Sequence, residues 1–144
     1  GEIPSVSALV DVGNLVSVRY ALPVAVLDLA RVAGTISVGF AQGNEEFTDL
    51  GASKVDHPDP GEVVFVDEAG VVHARRWCWR QSAPSATRPE TEEILIAVEG
   101  HHEAAAEDVA AALAELEHLL TEHVLADRLE HTVLTVESPV FHTD

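Results

Sequence analysis

The sequence predicts an α+β domain. Three observations lead there: a helical pattern near the start, a run of short strand-like segments through the middle, and a stronger helical pattern near the end. The chain has 144 residues, 47% hydrophobic and 23% charged, which is a globular composition long enough to bury one core. A single domain over 1–144 is expected. Because the chain opens on Gly1 and contains no Met, a missing upstream segment is expected too.

Residues 5 to 21 place Val6, Leu9, Val10, Gly13, Val16 and Tyr20 at helical spacing, with Ser5 as N-cap and Pro23 as terminator. Residues 24 to 28 read as a short buried strand. Residues 29 to 33 read as one helical turn closed by Gly34. Strands are expected at 36–41, 46–50, 63–67 and 71–76, each bounded by Gly, Pro, Asn or Asp. DEAG at 67–70 is a hairpin turn between the last two. Polar loops cover 51–61 and 81–91, and 94–99 is another strand. Helix 103–125 carries a stripe of Val109, Leu113, Leu116, Leu120 and Val124, with acidic residues in its first turns. A last strand is expected at 132–136.

Charge narrows the function classes. Twenty-five acidic and eight basic residues give a net charge of −17, a poor match for nonspecific binding to phosphate backbones. Four of the eight cations (Arg75, Arg76, Arg80 and Arg88) fall within 14 positions, so a local anion site is compatible with an acidic body. No apolar run reaches the roughly 20 residues of a membrane span. Cys78 is the lone cysteine, so no intrachain disulfide is expected and the cytoplasm is the default compartment.

The densest chemistry is RRWCWRQS at 75–82. On an extended segment, Trp77 and Trp79 share one face, while Arg76, Cys78 and Arg80 share the other. This reads as an aromatic wall beside cationic donors for a carboxylate or phosphate. It also reads as a strand end whose tryptophans fill the core. Cys78 is a nucleophile only if the arginines lower its pKa and a base such as His73 reaches it; a small buried apolar residue is the commoner role. The eight histidines, among them His101, His102, His118 and His123, lack metal-site spacing, so no metal and no cofactor is expected. His118 and Glu122 are placed to share a helix face. Gly13 and Asn14 are unfavourable inside a helix and mark close packing or function. GxGxxG, the P-loop and GxSxG are all absent.

In register, LVDVGNLVSVRYALPVAVLDL (9–29), GNEEF (43–47), PGEVVFVDEAGVV (60–72), RRWCWRQS (75–82) and the threonine of PETEEI (89–94) make the chain resemble the B3/B4 domain of the bacterial phenylalanyl-tRNA synthetase beta subunit, in its free-standing form. The match runs from about residue 3 to residue 100. The resemblance implies a three-layer B3/B4-type fold containing a β-sandwich of unusual topology with packed helices. It also implies an editing-type pocket in which a wrongly attached amino acid is hydrolysed from tRNA. That pocket would be lined by Gly13 and Asn14, the turn around 76–80, and residues from Thr91 to 97. Three departures stand out: the family's histidine is Ala25 here; its pocket glutamate falls on Ala97, or on Glu99 if the register slips by two; and WCWRQ replaces a glycine-rich turn.

The expected function is an aminoacyl-tRNA-editing-like domain, hydrolysing the ester or recognising the aminoacyl group. In that reading Asn14 orients the ester or a water, Arg76 and Arg80 hold the terminal phosphate or carbonyl, and Gly13, Trp77, Cys78, Trp79 and Thr91 line the pocket. The alternative is a protein acting on a free amino-acid-derived small molecule through the same pocket, without tRNA. The expected partners are therefore an aminoacyl-tRNA end or an amino-acid-like ligand, with no membrane. A noncatalytic subunit role, with the last helix serving a partner, is a third reading.

Overall fold

The computed structural model describes residues 7–124 and 126–143. The first helix, α1, covers Ala8–Tyr20. Ser7 caps it by accepting the Val10 N–H at 3.3 Å, which leaves the expected Ser5 cap outside the described residues. The helix ends before Pro23 because Ala21 turns left-handed at φ 52°. Strand β1 (Val24–Asp28) follows, then a single 3-10 turn at Leu29–Arg31.

Four strands build the larger sheet: β2 (Ser37–Phe40), β3 (Val63–Val66), β4 (Val72–Arg75) and β5 (Arg80–Gln81), antiparallel in that order. Strand β6 (Ile94–Val98) leaves this sheet and pairs antiparallel with β1, Ala25 opposite Ala97. Helix α2 (Ala105–Leu119) continues as a wider π-type turn over Leu120–Val124. Its His118 and Glu122 do meet, at 3.5 Å.

The result is three layers. Alternation along β1 and β6 sends one set of side chains each way. Ile96 and Val98 pack with Val12 and Val16 of α1 and Ala112 and Leu116 of α2. Ala25, Leu27, Leu95 and Ala97 pack the other way, against Phe65, Ala74 and Cys78. Gly13 belongs to the helix side: a Cβ there would lie 2.8 Å from Val26 Cγ2, so glycine lets α1 approach the strand. A third cluster of Ala41, Phe47, Val64 and Val72 covers the outer face of the larger sheet. A bulge between Phe65 and Val66 separates Val72 and Ala74 onto different faces.

Three expected strands need correction. Residues 46–50 make only isolated bridges, Glu46 to Val71, Phe47 to Asp56 and Asp49 to Ser82, because that stretch crosses the sheet face instead of extending it. Residues 132–136 have strand-forming composition but find no strand to pair with, and form no regular element. RRWCWRQS is not one extended segment. Arg75 and Arg80 are cross-strand partners, so residues 76–79 form a hairpin tip.

Candidate functional site

The hairpin tip takes a conformation that glycine would favour. Arg76 and Trp77 stand at φ 49° and 60°, consecutive left-handed residues without glycine. The alternation expected of a strand is therefore lost: Trp79 is 78% exposed and Trp77 38%, while Cys78 turns inward. Neither tryptophan fills the core.

Inside the turn, Cys78 packs on Ala25 and Leu27. Its amide N–H donates to Glu99 Oε2 at 3.1 Å. Burial, then the charge of Glu99, pushes the Cys78 thiol well above its ordinary range. Cys78 thus takes the commoner of its two roles, a small buried apolar residue, and not that of an activated nucleophile, since desolvation and a nearby carboxylate both disfavour a thiolate. The arginines do not offset that, and His73 does not serve it as a base. His73 is fully buried, with Nε2 3.1 Å from Asp67 Oδ2. Burial pushes the Asp67 carboxyl up, but hydrogen bonds from the Ala33 and Val71 amides and from His73 hold it below its ordinary value.

Glu99 is the acidic centre of this region. Burial raises its pKa. His101 Nε2 lies 3.9 Å from Glu99 Oε2, and the His101 ring packs on Trp77 at a centroid distance of 3.9 Å. The sequence pointed to Glu99 only as a near neighbour of Ala97; His101 was legible only as one of many histidines. Their meeting with Trp77 depends on the hairpin tip folding back over β6.

The remaining candidates are dispersed. Gly13 faces the helix layer, the opposite side of β1 from Cys78. Asn14, next to it, is half-buried, and its side chain has no hydrogen-bond partner among the described residues. Arg80 pairs with Asp49 and stacks over Phe47, 5.3 Å from the ring centroid. Arg75 shares that ring at 5.0 Å; it grips Glu62 through two nitrogens at 2.7 and 2.8 Å and Asp56 at 3.0 Å. Arg76 is the open cation of the trio, its side chain 60% exposed and 4.0 Å from Glu62. Thr91 donates to Asp28 Oδ2 at 2.8 Å and accepts the Arg88 N–H, tying the 82–93 loop to the end of β1.

Beside the turn lies an open groove of about 620 Å³, with walls that include Phe40, Val63, Trp77, His101 and the segment 134–139. Among the described residues no group of three or more His, Cys, Asp or Glu is arranged to hold a metal ion. No helix among them is long and apolar enough to cross a membrane.

Comparison with known proteins agrees with the three-layer arrangement. An N-terminal fragment of the phenylalanyl-tRNA synthetase beta subunit from Pyrococcus horikoshii superposes with a TM-score of 0.66 at 15% identity; the match covers 81% of this chain and 40% of that one. The chain thus spans well under two thirds of that fragment. No curated protein matches the chain. The profile of the B3/4 domain family matches residues 1–122, and with most of its length inside that match the chain belongs to the B3/4 domain family.

Proposed function

We propose that this domain recognises an aminoacyl group, carried on the acceptor end of an aminoacyl-tRNA, and that it binds the group without hydrolysing the ester. One observation carries the second half of that reading. The two positions where the family resemblance expects a histidine and a glutamate, Ala25 and Ala97, are direct cross-strand partners. Both pack in the cluster that Cys78 joins. At those two positions apolar contact stands in place of titratable groups, and proton transfer needs such a group within reach of the reacting atoms. Glu99, two residues on, is already engaged by the Cys78 N–H and His101.

Recognition is supported by two groups that the fold holds loosely. Arg76 presents a guanidinium on a side chain that is 60% exposed, with only a 4.0 Å contact to Glu62, suited to a phosphate or a carbonyl. Asn14 holds a half-buried amide without a partner among the described residues, open to a ligand's donor or acceptor. In this reading Asn14 on α1 and Arg76 on the hairpin tip contact different parts of the ligand, and Arg80 and Thr91 hold the scaffold in place.

The test is a calorimetric titration with a 3′-aminoacyl-adenosine analogue whose ester is replaced by an amide. Saturable binding is expected, weakened about tenfold by Asn14→Ala and by Arg76→Ala, or about 1.4 kcal/mol each. No saturation at millimolar analogue would sink the reading.

A second reading, a free amino-acid-derived ligand without tRNA, is favoured by electrostatics. The net charge is −17, and Arg75 and Arg80 are neutralised by Asp56, Glu62 and Asp49. On that reading the free amino acid binds as tightly as the adenosine analogue, and tRNA does not compete.

A further inference from the structure

The groove beside the hairpin tip has features of its own. Phe40 is 76% exposed on it, and Val38 and Leu134 are about half exposed. Contiguous exposed apolar surface of this kind marks interaction sites more often than chance placement does. Its size lies within the range of small-molecule sites, roughly 300–1,000 Å³. The segment 134–139 that forms one wall lies beyond residue 122, where the family match ends. A bond of 2.7 Å from His131 Nδ1 to Glu117 Oε1 ties the preceding stretch to α2, and Thr135 and Ser138 close a turn within the wall.

Charge and shape select the ligand. His101 is the one titratable residue among the described lining, and neither Lys nor Arg is part of it. Behind His101 stands the Glu99 carboxyl, which is largely buried and takes the Cys78 N–H. An anion entering here would meet no cation in the lining and a globally acidic body. A cation would gain the Trp77 face, which attracts it through the ring quadrupole. We propose that the groove binds a small aromatic primary amine, with its ring between Phe40, Trp77 and Leu134 and its ammonium directed toward His101 and Glu99. This site does not depend on the aminoacyl reading, whose polar contacts, Asn14 and Arg76, are not among its lining; Trp77 is the residue the two readings share.

Phenethylamine is the probe, titrated into the full chain carrying Trp79→Phe so that Trp77 alone reports by fluorescence. Saturable quenching below about 1 mM is expected, a modest affinity for so small a ligand. Trp77→Gly removes the ring while relieving the left-handed backbone, so it keeps the fold; followed by calorimetry, it weakens binding at least tenfold. Leu134→Ser weakens amine binding to a similar extent and leaves the aminoacyl-adenosine titration unchanged. The corresponding acid, 3-phenylpropionate, with a carboxylate in place of the ammonium, does not bind. No saturation at 10 mM amine, equal binding of the acid, or amine binding unaffected in both variants would overturn the proposal.

Discussion

Left-handed backbone at Arg76 and Trp77 costs about 1–2 kcal/mol per residue relative to ordinary conformations. Something must hold it, and Glu99 is placed to do so, accepting the Cys78 N–H from across the layer boundary. That duty comes with a buried charge. Burial raises the Glu99 pKa, so the folded state binds this proton more tightly than the unfolded chain does. Its contribution to stability is complete below the unfolded carboxyl value of about 4.3 and is lost as pH rises through the raised folded value. A glutamine accepts the same N–H and never ionises. Glu99→Gln is therefore expected to stabilise the protein at pH 7 by roughly 0.5–1 kcal/mol. The gain should vanish at pH 4. Urea denaturation at the two pH values measures it, and equal effects at both would contradict the assignment.

At the scale of elements, the helices were the most legible part of the sequence. The α2 stripe of Leu113, Leu116 and Leu120 packs in the cluster it shares with α1, because a 3.6-residue repeat dictates which face is buried. Strands with a partner within a short hairpin, β3 and β4, were equally legible. Segments 46–50 and 132–136 were not, because strand propensity says nothing about whether a partner edge is free. The 75–82 segment misled for a further reason. Its alternation imitates a strand, yet Arg75 and Arg80 pair across a four-residue tip. Glu99 and His101 join Trp77 only through that fold-back, which no local pattern encodes. The candidate site was thus half legible: its hairpin was visible in composition, and its acidic backing was not.

Arg75, at the base of the same hairpin, makes the most extensively hydrogen-bonded ion pair among the described residues. Arg75 is almost fully buried, with Glu62 gripped by two nitrogens, and its hydrogen bond holds the Glu62 carboxyl below its usual value. Removing one partner of a buried pair strands the other. Arg75→Ala is expected to lower stability by about 2–4 kcal/mol in thermal or chemical denaturation. Glu62 has a depressed folded pKa, so its contribution is present above about pH 4.3 and is lost as pH falls through the folded value. The Arg75→Ala protein should accordingly show a shallower loss of stability in acid than the parent. A cost below about 1 kcal/mol would show that the pair is not the hairpin's anchor.

Taken whole, the molecule places a core of Ala25, Ala97 and Cys78 between its sheets, with Ala25 and Ala97 standing where the family resemblance expects a histidine and a glutamate. Its net charge of −17 adds a repulsive field toward tRNA, which weakens encounter and makes any tRNA binding strongly salt-dependent. Both features support the proposed reading of recognition without ester hydrolysis. The measurement that tests this most directly is deacylation of a tyrosine-misacylated phenylalanine tRNA in the presence of excess domain at neutral pH. The expected rate equals spontaneous hydrolysis, although the same domain saturates with the amide-linked aminoacyl-adenosine. Multiple turnovers above the spontaneous rate would contradict it and would mean that residues other than those at 25 and 97 supply the chemistry.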